Sequence, residues 1–392
     1  MDAPSPAAVA ANSRGMAALK AGDAAAAAAA FAQACAADPH SPALWRNLAS
    51  AKRAAGDDQG ELDALDGALA IDRRDVVAWL RKAETHQRRG DKGPALAAWS
   101  GVLQLAEPLR PWEGAFAASL AAGQRFVSEA TGELRATTEA MLGGVVDDLD
   151  ETERRRGRAF LDVALGGRRT YANECAGLYY PFLPADEFFD DRHFPWFAAL
   201  AAQTDAIRAE LHALLDHPGE ALRPYVRMEK GIGETKWSGL DGTLKWGACF
   251  LYEYGAPNAA VLDRCPATAR ALAAIPQSTI PGQAPNAFFS ILQPRTRIPP
   301  HTGVSNTRAI VHLPLIVPGG CGFRVGGETR AWVEGQPFAF DDTIEHAAWN
   351  DSEEMRAVLI LDVWNPHLSA REQGIVSEYY RSTEAAGYAP VR

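Results

Sequence analysis

Apolar and small residues in the first hundred positions recur at helical spacing, and that spacing is itself repeated every 34 residues. Gly22-Asp23, Gly56-Asp57 and Gly90-Asp91 stand at this offset, as do Trp45 and Trp79. Gly15, Ala49 and Ala83 align at the same period, and so do Phe31, Leu65 and Trp99. Small residues let paired helices approach, large apolar ones fill the groove between them, and Gly-Asp ends the first helix of each pair. The pattern predicts three helix–turn–helix units. Pro108 and Pro111 punctuate the end of this array, and helical spacing returns from Trp112 to about Leu165.

After Gly166-Gly167 the character changes. Tyr179, Tyr180, Phe182, Phe188, Phe189, Phe194, Trp196 and Phe197 crowd together, a density that suits packing of one domain on another or the wall of a substrate entrance. A helical stretch over Phe197 to Leu215 follows. Beyond Pro218 the chain becomes short apolar runs, such as Trp246 to Tyr254 and Ala287 to Leu292, separated by Gly, Pro and Asn clusters. Turn signals at Pro318-Gly319-Gly320, Gly326-Gly327 and Asp341-Asp342 keep the rhythm of a β-sandwich or jelly roll.

The chain has 392 residues, enough for more than one core. Its formal net charge of −10 disfavours nucleic acid and anionic lipid as partners. The acidic residues Asp147, Asp148, Asp150, Glu151 and Glu153 precede Arg154, Arg155, Arg156 and Arg158, which reads as a solvated helix face. Cys35, Cys175, Cys249, Cys265 and Cys321 are odd in number, scattered, and never spaced C-x-x-C, against both a disulfide framework and a thiolate zinc site. The Met-Asp-Ala-Pro opening lacks the basic region of a signal peptide, and no apolar run reaches the roughly 18 residues of a membrane span. A cytoplasmic protein is expected.

The 34-residue period resembles a tetratricopeptide (TPR) array over about residues 8 to 109. The resemblance implies a concave surface for a peptide or protein partner; a packing or dimerisation module is the alternative. 

His301, His312 and His346 lie in the β-rich region. His301 follows Pro299-Pro300 at a sharp strand entry, and His346 comes about four strands later, where a rolled sheet can bring the two together. Imidazole suits iron, zinc, copper or nickel, and two histidines with open positions suit ferrous iron that also holds a co-substrate and dioxygen. The segments ILQPRTRIPPHTGVSNTRAIVHL (Ile291 to Leu313) and DDTIEHAAWNDSEEMRAVLILDVWNP (Asp341 to Pro366) closely resemble the aspartyl/asparaginyl β-hydroxylase family over about residues 180 to 370.

That resemblance implies an Fe(II)- and 2-oxoglutarate-dependent dioxygenase on a double-stranded β-helix. His301 and His346 would be the metal ligands, with Gly303 where many such enzymes carry a carboxylate. Arg356 would grip the distal carboxylate of 2-oxoglutarate, assisted by Ser290 and His312. No catalytic residue is implied beyond the metal centre. Arg308 would face the substrate carboxyl, while Ile310 stands where a second arginine is expected. Asp341, Asp342 and Glu345 would form a turn that orients His346.

The expected architecture is therefore multidomain: a TPR-like α-solenoid over 1–110, connecting helices over 111–170 and a jelly-roll oxygenase domain over 171–392. The expected activity is hydroxylation of a C–H bond, such as the β-carbon of an Asp/Asn-type or other amino-acid side chain in a peptide or protein presented by the repeats. The alternatives are a non-catalytic scaffold with a ligand-binding jelly roll, and an oxygenase for a free amino acid or small metabolite.

Overall fold

The structure, a computed structural model, describes residues 5–388. The Met-Asp-Ala-Pro opening and the side chain of Asp147 lie outside the described residues. The chain divides into two compact units, Met1–Leu161 and Asp162–Arg392.

The first unit begins with three helical hairpins: α1 (Pro6–Lys20) with α2 (Ala24–Ala37), α3 (Pro42–Ala54) with α4 (Asp58–Ile71), and α5 (Val76–Arg89) with α6 (Lys92–Ala106). Gly22, Gly56 and Gly90 end the first helix of each pair at φ of 80°, 73° and 77°, a left-handed conformation open to glycine. Asp23 and Asp57 then cap the second helix, accepting from the amides of Ala26 at 2.9 Å and Gly60 at 2.8 Å. Trp45 and Trp79 each donate Nε1–H to a carbonyl six residues back, that of Pro39 or Arg73, at 3.0 Å. Each indole thereby pins the loop that enters its helix. Phe31, Leu65 and Trp99 are buried between hairpins, and a Cβ on Gly15 would stand 2.6 Å from the Phe31 ring. The array is TPR-like. Two further helices follow, α7 (Gly114–Asp147) and α8 (Glu151–Ala164). Among the described residues no helix is long and apolar enough to cross a membrane.

The second unit opens with α9 (Phe197–Ala201) and α10 (Thr204–Asp216) and then becomes mainly β. Its strands are β1 (Leu222–Pro224), β2 (Trp246–Glu253), β3 (Ala256–Pro257), β4 (Ala287–Leu292), β5 (Thr296–His301), β6 (Arg308–Ile316), β7 (Cys321–Val325), β8 (Glu328–Ala331), β9 (Phe338–Phe340), β10 (His346–Asn350) and β11 (Arg356–Trp364). Helices α11 (Ala259–Leu262) and α12 (Pro266–Ala273) interrupt the strands, and α13 (Ala370–Ala385) follows them. The larger sheet runs β1-β2-β4-β11-β6-β9 and the smaller β5-β10-β7-β8, all antiparallel. From β4 to β11 the chain thus winds eight strands through two sheets, crossing between them at every step but the β7–β8 hairpin, the order of a jelly roll; β1, β2 and β3 extend the larger sheet past β4.

Side chains alternate across each strand, so residue parity decides the face. On the larger sheet Cys249, Leu251, Phe289, Ile291, Val311, Leu313, Leu359 and Leu361 pack in one core with Ile207, Leu211 and Leu272 of α10 and α12. The opposite face carries Trp246, Leu292 and Val358, which pack with Ile298, Phe323, Val325 and Ala348 of the smaller sheet. Ser290, Arg308, Ile310, His312 and Arg356 share that inner parity. The aromatic crowd of 179–197 divides accordingly. Phe188 joins the inner cluster, while Phe189, Phe194 and Phe197 join the outer one, so these four are core residues of this unit rather than a seam between domains.

Candidate active site

His301 ends β5 and His346 begins β10, and in the antiparallel pairing of these strands the two residues stand directly opposite each other. Their ring centroids are 4.0 Å apart. Nδ1 of His301 meets the Pro299 carbonyl at 2.8 Å, and Nδ1 of His346 meets the Ile344 carbonyl at 3.0 Å. A carbonyl only accepts, so each Nδ1 carries the proton and each Nε2 keeps its lone pair. Burial lowers the pKa of both rings; for His346, burial and then the neighbouring His301 bring it to about 3. Both imidazoles are therefore neutral at physiological pH.

Gly303 lies two residues beyond the first of these rings. A Cβ at this position would run into the Asp342 carboxyl group, and the Gly303 amide donates to the Asp342 carbonyl at 2.6 Å. Asp342 thus fills from across the turn the space that a side chain at 303 would take. Burial pushes its carboxyl up to about 7, with Arg308 opposing the shift. Asp341 accepts from the Thr343 amide at 3.0 Å and from Asn173 at 2.7 Å, which makes it the structural member of the turn. Among the described residues no group of three or more His, Cys, Asp and Glu side chains is arranged to hold a metal; the histidine pair stands with a glycine where a third ligand would be.

Arg356 opens β11 opposite Leu292 of β4. It is 2% exposed, and among the described residues no carboxylate pairs with it. Burial brings its guanidinium down to about 10, since removing a cation from water favours the neutral form. Its Nε has no hydrogen-bond partner, and the same is true of His312 Nδ1 and Trp332 Nε1. These three atoms belong to one cluster. The Arg356 guanidinium lies 5.0 Å from the Trp332 ring centroid, and His312 stacks on Trp332 at 5.5 Å with planes 8° apart. Burial and then Arg356 hold the His312 ring far below its ordinary pKa, hence neutral. Ser290, in the adjacent strand, accepts from Trp246 Nε1 at 3.0 Å, which leaves its hydroxyl proton to donate. Buried polar groups are normally satisfied; unsatisfied polar atoms around an unpaired cation have the chemistry to hold a polar anionic ligand.

Arg308 is built differently. Its Nη1 donates to Asp362 Oδ2 at 2.6 Å, and Asp362 also accepts from the Ser278 hydroxyl and from the amide and side chain of Asn286, each at 2.9 Å. The charge of Arg308 is thus answered by a carboxylate that is 2% exposed and held from four directions. It lies on the inner face, but it is not an unpaired cation.

The structure therefore gathers His301 with His346, and Arg356 with His312; Ser290 lies in the strand beside Arg356, and Arg308 lies on the same face in an ion pair. Sequence reasoning missed three groups. Trp332 follows β8 in a segment of ordinary polarity, and nothing in the spacing marks its indole as an orphan donor. Trp237 packs its ring edgewise on His301 at 5.1 Å between centroids, and Trp246 lies 6.4 Å from the same ring. Their distance from the histidine motif in sequence, with no periodic relation to it, left them without a signal.

Residues 201–366 match the family model described as aspartyl/asparaginyl beta-hydroxylase. The human aspartyl/asparaginyl beta-hydroxylase is 36% identical over 129 residues, 33% of this chain and 17% of that protein. The ornithine lipid ester-linked acyl 2-hydroxylase of Rhizobium tropici is 32% identical over 196 residues, 49% of this chain and 66% of that protein. The chain thus spans about a sixth of the first relative and just under two thirds of the second. Among solved structures, the TPR domain of Sgt2 from Aspergillus fumigatus covers 33% of this chain and 83% of its own, at 23% identity and a TM-score of 0.29. Over residues 201–366 the chain is thus similar to the aspartyl/asparaginyl β-hydroxylase family.

Proposed function

We propose that the C-terminal unit is an Fe(II)- and 2-oxoglutarate-dependent dioxygenase that hydroxylates a C–H bond, and that the helical repeats recruit a peptide or protein carrying it. The observation that supports this reading best is the cluster of orphan donors around Arg356, on the inner face that also holds the histidine pair. A buried cation with no counter-ion costs several kcal/mol unless a ligand supplies the anion, and a planar guanidinium can take a carboxylate through two parallel hydrogen bonds.

The residues fit the cofactor and the co-substrate. His301 and His346 would hold ferrous iron through Nε2, their tautomers fixed by the Pro299 and Ile344 carbonyls. Asp342, whose carboxyl group lies against Gly303, would offer a hydrogen-bond acceptor on that side of the pair. Arg356 would clamp the distal carboxylate of 2-oxoglutarate, with Ser290, Trp332 Nε1 and His312 donating to its oxygens. Iron, when bound, supplies the reduction and activation of dioxygen. In the overall reaction R–H, O2 and 2-oxoglutarate give R–OH, succinate and CO2. The protein's own part is to anchor the diacid, keep two imidazoles neutral and bring the target carbon to a fixed place. All five cysteines are free, which supports a reducing, cytoplasmic setting.

The test is succinate formation from 2-oxoglutarate with ferrous iron, compared with His301→Ala and Arg356→Ala. Both variants are expected to lose at least about 100-fold, the scale of removing a ligand or a charged clamp. A wild-type rate equal to both would overturn the proposal in favour of a non-catalytic scaffold.

A further inference from the structure

Three observations bear on what is oxidised. The first is charge balance. Arg308, the cation nearest Asp342 on the inner face, is already neutralised by Asp362 at 2.6 Å, and Asp342 adds a second carboxyl group to its surroundings. Lys236, which reaches the His301 end, donates Nζ to the Pro300 carbonyl at 2.8 Å, and Arg324 on β7 is paired with Glu345 at 2.7 Å. The remaining inner-face cation, Arg356, is the one the co-substrate needs. Lys236 keeps its charge but is exposed to solvent, so an anionic substrate group would meet no buried cation free to receive it on the inner face, and leaving a carboxylate unpaired there is costly.

The second is the residue between Arg308 and His312. Ile310 packs against the inner apolar cluster and sits in register with Phe340 on one side and Asp362 on the other. Its side chain offers contact and no hydrogen bond.

The third is a row of aromatic rings leading away from His301. Trp237 and Trp246 touch the imidazole. Tyr225 stacks on Trp246 at 4.0 Å and on Phe288 at 5.3 Å, and Phe250 stacks on Phe288 at 4.9 Å. Arg223, paired with Glu253, closes the row with its guanidinium 4.4 Å from the Phe250 ring centroid. Tyr225 is 39% exposed, so the row is reachable from solvent. An apolar strip that starts at the histidine pair and ends at an ion pair suits a peptide, with apolar side chains over a polar backbone, better than an all-hydrocarbon chain.

Resting on the proposed oxygenase activity, we infer that the group oxidised is an uncharged aliphatic side chain of a peptide segment, seated along Tyr225, Trp237, Trp246 and Phe250 and held against Ile310. In the step itself a C–H bond of that side chain breaks and a C–OH bond forms. One atom of O2 enters the product and the other enters succinate as CO2 leaves the keto acid.

The experiment uses the full chain with ferrous iron, ascorbate and 2-oxoglutarate, and peptide mixtures of degenerate flanks around one fixed central residue. Succinate and peptide mass gain are read from the same tubes. Oxidation at central Leu, Ile or Val at least tenfold above that at Asp or Asn is expected. Ile310→Arg should shift this ratio toward Asp by tenfold or more, and Tyr225→Ala, a change at an exposed ring, should raise KM for the aliphatic peptides several-fold. Succinate with oxidation favouring Asp or Asn overturns the inference and leaves the oxygenase standing, as does succinate with no peptide oxidised. No succinate in any tube overturns the oxygenase reading beneath it.

Discussion

Replacing Arg356 with methionine should make the ligand-free protein more stable, although Arg356 is the residue on which the proposed co-substrate binding would depend. The folded protein brings the guanidinium from 12.5 to about 10. Because this base is depressed on folding, the charged form bears its whole penalty at neutral pH, and relief comes only as the pH climbs past 10. That shift corresponds to about 3 kcal/mol. The contact with Trp332 at 5.0 Å returns about 1 kcal/mol as a cation–π interaction. Methionine has similar reach, no charge and no donor to satisfy, so Arg356→Met is expected to gain about 2 kcal/mol, as when buried ion pairs elsewhere give way to apolar residues. For a unit of this size that is a rise of about 4–8 °C in Tm. Scanning calorimetry on chelator-treated protein, following the transition of the 162–392 unit, measures it. Adding Mn(II) and 2-oxoglutarate at a hundredfold excess over Kd should then stabilise the wild type by about 2.7 kcal/mol and leave the variant unmoved. A variant that melts lower than the wild type without ligand would refute the claim that this cation is uncompensated.

The remaining predictions concern the neighbouring positions. Gly303→Asp should not restore a three-residue metal site, because its Cβ meets the Asp342 carboxyl; a loss of about 1–3 kcal/mol is expected from overpacking, and Gly303→Asp with Asp342→Gly should recover most of it, both read by urea denaturation. Ser290→Ala strands the buried Nε1–H of Trp246 and should cost about 1–3 kcal/mol while raising the KM for 2-oxoglutarate; an unchanged stability would show that the indole finds another acceptor. His346 titrates near 3 when folded and 6.5 when unfolded, so the unfolded chain binds the extra proton between those values and stability drains away as the pH falls from 6.5. Between pH 6.5 and 4.5 the metal-free wild type should lose about 2 kcal/mol more than His346→Asn, and parallel curves for the two proteins would count against a neutral buried ring.

How much of this was legible in the chain depends on whether a feature is local or brought together by folding. The 34-residue period carried the helical hairpins because the units solve the same local problem: a glycine at positive φ in all three, a capping aspartate in the first two, and an indole tied six residues back in the second and third. The histidine pair was legible through its motif, and β5–β10 pairing supplies the reason, since opposed residues at the strand ends place the rings 4.0 Å apart. For the aromatic crowd after Gly167, composition reports density and says nothing of direction; Phe188 and Phe189 are neighbours in sequence and point to opposite faces of the larger sheet. Trp332 was invisible because its meaning lies in what it lacks, a partner for Nε1, and satisfaction is a property of the packed interior.

The two arginines at the ends of the inner face show why that distinction matters for function. Arg308 and Arg356 look equivalent in sequence, each opening an apolar strand. The fold supplies Arg308 with Asp362, itself fixed by Ser278 and Asn286, and supplies Arg356 with an indole face and a neutral histidine. The first arrangement is complete and gains little from an incoming carboxylate, which would compete with one already in place. The second is incomplete by one anion, and the free energy withheld from folding is returned when that anion binds. Affinity for the proposed diacid would thereby be concentrated at one end of the face. The other end is left nearly neutral, and what it selects is shape and apolar contact.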